Sequence, residues 1–121
     1  APALDDLDEK GIPYGVLSNF DTRIREVLKG LGLAQRLRHL VISAEVGAEK
    51  PDPAIFQFGE ALLSEQEAQR IALVGDESKA DGHGALRAGW EQCLVRRDGR
   101  PAEEGLCAER GLLAAVRRLT S

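Results

Sequence analysis

Short apolar runs alternating with longer amphipathic segments predict an α/β fold, an open parallel sheet covered by helices on both faces. Helix start and stop signals fall between the runs. Three of the four runs also end in polar residues just ahead of a helix, where open sheets of this kind bind ligands.

"APALDDLDEKGIP" reads as a short helix leading into the first strand, "YGVLS" at residues 14–18. In "DTRIREVLKGLGL", Ile24, Val27, Leu28 and Leu31 recur at helical spacing, with Asp21 placed to cap the start and Gly32 to end it. "LVIS", residues 40–43, is the second strand. In the helix "DPAIFQFGEALL", Asp52 is the N-cap and Pro53 takes the first helical position. Its apolar face is Ile55, Phe56, Gly59 and Leu62, with Leu63 beside it.

"IALVG", residues 71–75, is the third strand, followed by a helix from Lys79 to Ala88 that Gly89 closes. Gly82 and Gly84 each cost this helix about 1 kcal/mol relative to alanine, which is tolerated where backbone must approach a neighbour closely. "EQCLV" is the fourth strand, "RRDGRPAEEG" a surface loop, and "ERGLLAAVRRL" a terminal helix burying Leu112, Leu113, Val116 and Leu119. No repeat or low-complexity tract interrupts the chain.

The chain has 121 residues, 43% hydrophobic and 30% charged, the composition of a soluble globular protein. A net charge of -4 argues against a nucleic-acid binder, which needs a basic face. Two cysteines, Cys93 and Cys107, are too few for a disulfide framework, so a cytoplasmic setting is expected, with Cys93 a small buried hydrophobe. No apolar run approaches the ~20 residues needed to span a bilayer.

The chemistry gathers at the strand ends. Ser18 and Asn19 follow the first strand, a hydroxyl and an amide that suit an anion ahead of a helix N-terminus, and equally suit a turn. Lys50 stands before a Pro-Asp-Pro turn and offers a compact positive charge to a phosphoryl oxygen or a carboxylate; a solvated surface lysine is the plainer alternative. Asp76 ends the third strand and Asp81 opens the next helix. Paired carboxylates suit Mg²⁺, which takes one or two of them and keeps bridges to water and phosphate. A helix cap is the competing role for Asp81.

Taken together, "VLSNFD", "EKPDPAIF" and "VGDESKADGHGALRAG" resemble the haloacid dehalogenase-like (HAD) hydrolase superfamily, over nearly the whole chain and closest to its branch of HAD-like hydrolase domain-containing proteins. The resemblance implies a Rossmann-like three-layer α/β/α core. It assigns phosphoryl binding to Ser18, support to Asn19, orientation of nucleophile and phosphate to Lys50, and Mg²⁺ to Asp76 and Asp81. Dehalogenating members lack the acid at the Asp76 position, so the pattern points to the phosphohydrolase version. His83 carries no fixed role in the family.

The family's nucleophile is an aspartate in a DxD pattern at the end of its first strand, forming an aspartyl phosphate. The "DLD" at residues 6–8 has no apolar strand before it, so the nucleophile strand and the cap are expected ahead of residue 1. The chain then corresponds to the C-terminal part of one catalytic core domain, residues 1–121. The family's first strand is central, so a gap of roughly 10 Å is expected between the first and third strands here, which should not pair. The expected activity is that of a Mg²⁺-dependent phosphatase acting on a small phosphorylated metabolite, completed by the missing N-terminal segment, with no nucleic-acid or membrane partner. The alternative is a catalytically dead HAD-like binding or regulatory module. A phosphoacceptor receiver domain would carry its acids early and its lysine late, opposite to the order here.

Overall fold

All four apolar runs become strands: β1 (Gly15–Ser18), β2 (His39–Ile42), β3 (Ala72–Gly75) and β4 (Glu91–Val95). The computed structural model, which describes residues 2–19, 23–64 and 70–120, adds a fifth, β5 (Ala108–Glu109). Its two residues are too few to carry a periodic signal, and sequence reading gives Glu109 to the terminal helix. β1 pairs in parallel with β2, with Val16 opposite Leu40 and Ser18 opposite Ile42. β3, β4 and β5 form a second parallel ladder in that order. β1 and β3 share no ladder, as expected if a central strand belongs between them.

The helices are α1 (Pro2–Glu9), α2 (Ile24–Gly30), α3 (Ser43–Val46), α4 (Pro53–Ser64), α5 (Gly84–Arg87) and α6 (Leu112–Thr120). Asp52 caps α4 as expected, its Oδ1 accepting the Ala54 N–H at 2.9 Å. Asp21 lies outside the described residues. The α2 end has the Gly32 stop, with φ of 71°. The Leu33 N–H donates to Leu28 O at 2.9 Å and Gly32 N–H to Lys29 O at 3.0 Å, which satisfies two carbonyls that the helix leaves open. α3, which has no sequence signal, turns the chain from β2 toward Lys50.

Two apolar layers cover the strands. On one side Val41, Ile55, Phe56, Ala85 and Trp90 pack with Leu17, Leu62 and Leu73. Phe56 and Trp90 meet edge to face at 5.2 Å. α6 packs against β3 and β4, and α1 against α6, through Ala3, Leu7 and Val116. Leu73 and Val74 are paired with Gln92 and Cys93, so alternation puts Leu73 in the α4–α5 layer and the fully buried Cys93 on the opposite, α6 face. Helices on both faces of parallel strands give the three-layer α/β/α architecture.

Two details depart from the sequence reading. Leu112 is 40% exposed, because α6 buries Ala115 and Val116 and turns Leu112 outward. The helix after β3 does not begin at Lys79 as an α-helix: Ser78–His83 is a π-helical turn that runs into α5. Asp81 and Gly82 N–H groups both bond to Glu77 O, at 2.9 and 3.1 Å, and the second of these closes the wider turn. Gly82 and Gly84 let this stretch pack closely, since a Cβ would lie 2.7 Å from Leu106 in the first case and 2.7 Å from Phe56 in the second.

Candidate active site

The end of β1, the loop before α4 and the end of β3 converge through a chain of contacts. Asn19 closes the first link with a two-point amide clamp: its Nδ2 donates to Lys50 O at 3.0 Å, and its Oδ1 accepts the Lys50 N–H at 2.7 Å. The clamp holds the backbone that carries Lys50. Ser18, half-buried, is the last residue of β1 and enters the same corner.

The lysine side chain makes the second link. Lys50 Nζ lies 2.6 Å from Asp81 Oδ1, and the two side chains are only 11% and 6% exposed. Lys50 is therefore no solvated surface lysine. Asp81 Oδ2 accepts the backbone N–H groups of Asp76 and Glu77, both at 3.1 Å. A carboxylate has about four lone-pair directions, and three bonds to Asp81 fill most of them. Asp81 sits within the π-helical turn and reaches back to the strand end, instead of capping the helix ahead of it. Gly75 gives it room: a Cβ there would come 2.6 Å from the Asp81 Cβ and closer still to its carboxylate.

Asp76 differs. Its backbone is held by Asp81 while its side chain stays exposed at the tip of β3. Mg²⁺ needs only one or two carboxylates beside water and phosphate oxygens, so an open Asp76 next to a largely satisfied Asp81 fits that donor demand. No cluster of three or more His, Cys, Asp or Glu side chains able to hold a metal occurs among the described residues. Asp6 and Asp8 of the "DLD" stretch lie on α1, where Asp8 pairs with Arg36 at 2.6 Å and Asp6 with Lys10 at 3.0 Å. His83 ends the π-helical turn, half-buried.

Residues 1–89 match the family described as haloacid dehalogenase-like hydrolase. The chain belongs to that family. Human haloacid dehalogenase-like hydrolase domain-containing protein 3 is 40% identical over 87 residues, covering 71% of this chain and 34% of that protein. Ribulose-1,5-bisphosphate 5-phosphatase of Halopiger xanaduensis is 32% identical over 116 residues, covering 95% of this chain and 46% of that protein. The crystal structure of a HAD phosphatase from Thermococcus onnurineus matches with a TM-score of 0.84 at 26% identity, covering 99% of this chain and 55% of that one. The chain spans about a third of the length of the first curated relatives it matches, 34% in each.

In this member of the family the strand-end residues rest on a support that sequence reading takes for a surface loop. Arg96, the residue after β4, is 7% exposed. Its Nη2 donates to both Glu103 oxygens, at 2.6 and 2.9 Å, and its Nη1 to Pro101 O at 3.1 Å. The Ser78 hydroxyl first, and Arg96 second, hold the Glu103 carboxyl down at about 2. In sequence only the position of Arg96, directly after a strand, sets it apart from the neighbouring charges. No helix among the described residues is long and apolar enough to cross a membrane.

Proposed function

We propose that Ser18, Asn19, Lys50, Asp76 and Asp81 form the phosphate- and cation-binding half of a phosphohydrolase site. The observation that carries this reading is the 2.6 Å Lys50–Asp81 pair, nearly buried where two strand ends meet, with Asp76 left open beside it. A paired lysine held by an amide clamp is aimed, not wandering, so it presents its remaining N–H donors at a set point. Asp76 is the carboxylate that would hold Mg²⁺, and Asp81 acts mainly by orienting Lys50 and the Asp76 backbone. When bound, the cation offsets charge on a phosphoryl oxygen. Ser18 supplies a hydroxyl to the same phosphate. The phosphatase names among the relatives support a phosphomonoester substrate of small size.

None of these residues is free to attack phosphorus, because the Lys50 amine is engaged with Asp81 at 2.6 Å and Asp76 is committed to the cation. The attacking carboxylate belongs on a strand between β1 and β3, whose facing edges share no ladder. With it in place an aspartyl phosphate forms and is then hydrolysed. The helical placement of Asp6 and Asp8 removes them as the attacking carboxylate, and the second reading is a HAD-like binding or regulatory module without turnover.

The test is hydrolysis of p-nitrophenyl phosphate by the protein that carries this chain, with Mg²⁺ and after chelation, for wild type and Asp76→Asn. The expected result is Mg²⁺-dependent turnover that falls at least ~100-fold in Asp76→Asn, at an unchanged melting temperature because the side chain is exposed. Near-normal turnover in the variant would remove Asp76 from the site. Phosphate binding without turnover in wild type would favour the module.

A further inference from the structure

Cys93 and Cys107 stand side by side where β4 meets β5, and the site proposed above uses neither. Leu94 is paired with Ala108, and its N–H donates to Cys107 O at 2.9 Å. One step back along this parallel ladder sets Cys107 beside Cys93, and residues paired in parallel strands turn their side chains to the same face. Both sulfurs lie over this stretch of β4. Cys107 Sγ is 3.0 Å from Gln92 O, on the residue before Cys93, and Cys93 Sγ is 3.7 Å from Leu94 O, on the residue after it. Neighbouring strands run about 4.8 Å apart, inside the Cα separation of about 4.4–6.8 Å that a disulfide spans. The two thiols differ in access, since Cys93 is fully buried and Cys107 half-buried at the start of a two-residue edge strand.

We propose that Cys93 and Cys107 form a reversible thiol–disulfide site, in which Cys107 reacts first with a low-molecular-weight disulfide and Cys93 then closes the bridge. Cys107 gives its proton to water, and its thiolate attacks one sulfur of the reagent. The reagent's S–S bond breaks, and one half leaves as a thiolate that takes up a proton. The mixed disulfide on Cys107 is then attacked by Cys93, whose proton goes to the second departing thiolate. Two protein thiols are oxidised to one disulfide, and one small disulfide is reduced to two thiols. Access sets this order, because no reagent reaches a fully buried sulfur directly. The bridge is strained. Disulfide Cβ atoms lie about 3.8 Å apart, so the edge strand must close toward β4 by about 1 Å, and strain of this kind makes a disulfide easier to reduce. β5 can move because it pairs on one side only and is two residues long. Neither cation nor phosphate enters this chemistry, so it is independent of the phosphohydrolase reading.

The test incubates the folded protein that carries this chain with glutathione disulfide, quenches it in acid, and maps peptides after alkylation in denaturant. Wild type is expected to lose alkylation at both cysteines and to give a peptide pair joined through Cys93 and Cys107. Excess reduced glutathione should open that bridge and restore alkylation at both. Cys93→Ala should stop at a glutathione adduct on Cys107, while Cys107→Ser should leave Cys93 unmodified. Should Cys93→Ala fail to fold, because it empties part of the core, the wild-type map and Cys107→Ser still decide. A wild-type adduct that stays on Cys107 with Cys93 free overturns the pair, as does a bridge that forms only when denaturant is present during oxidation. Two unreacted thiols overturn it as well. A bridge that excess glutathione cannot open is a permanent crosslink, which overturns the reversible site.

Discussion

Lys50 and Asp81 meet at 2.6 Å and tie together two parallel ladders that share no backbone pairing. From sequence alone, replacing Lys50 by methionine is expected to spare the fold. The burial of the pair argues otherwise, because Lys50→Met takes the partner from the Asp81 carboxyl in a site only 5% exposed. Breaking one side of such a buried pair costs about 3–5 kcal/mol. The expected outcome is a lower urea midpoint at unchanged m-value, together with lost phosphate binding. A Lys50→Met midpoint equal to wild type would mean that the Lys50–Asp81 pair does not hold the fold together.

Two glycines make a matched pair of tests. Gly75→Ala drives a methyl group into Asp81 and should destabilise by about 1–3 kcal/mol, as overpacking does. Gly30 has nothing within 4 Å of where a Cβ would stand, and it ends α2. Gly30→Ala is expected to stabilise by about 0.5–1 kcal/mol through the unfolded chain. Chemical denaturation of both variants checks the contrast, and equal effects would refute the close approach at Gly75.

Glu103 predicts a pH dependence with a definite sign. Its carboxyl is lowered from 4.5 to about 2 in the fold, by the Ser78 hydroxyl first and Arg96 second. A depressed folded value means that its stabilisation is complete above the ordinary carboxylate range and is lost as pH falls through that range toward about 2. Glu103→Gln removes this contribution. Thermal melts should therefore show the gap between wild type and variant closing across that acid window, and a constant gap would contradict the assignment.

The cysteines should differ in reactivity. Burial first, and Cys107 second, push the Cys93 thiol up to about 12, while Cys107 is half-buried and donates its S–H to Gln92 O at 3.0 Å. At pH 8 the reactive thiolate of Cys93 is roughly one part in 10⁴. Iodoacetamide on the folded protein should label Cys107 before Cys93, with Cys93 reacting only after denaturant is added. Mass mapping that finds Cys93 labelled first would overturn the buried assignment.

Strand positions, the Asp52 cap and the Gly32 stop were legible in the sequence, because apolar period, N-cap chemistry and left-handed glycine are local signals that act within a few residues. That Asn19, Lys50, Asp76 and Asp81 come together follows from the same sequence order, since parallel strands bring their carboxyl ends to one edge whatever the loops do. Local pattern says nothing of which partner a long polar side chain will meet. Only the tertiary structure decided that Asp81 turns back onto Lys50 and the Asp76 and Glu77 amides, through a π-helical turn. It also decided that Arg96, one of several arginines in a stretch that reads as solvated, is buried against Glu103. β5 and the outward turn of Leu112 were settled in the same way, by contacts between residues distant in sequence, where packing outweighs local preference.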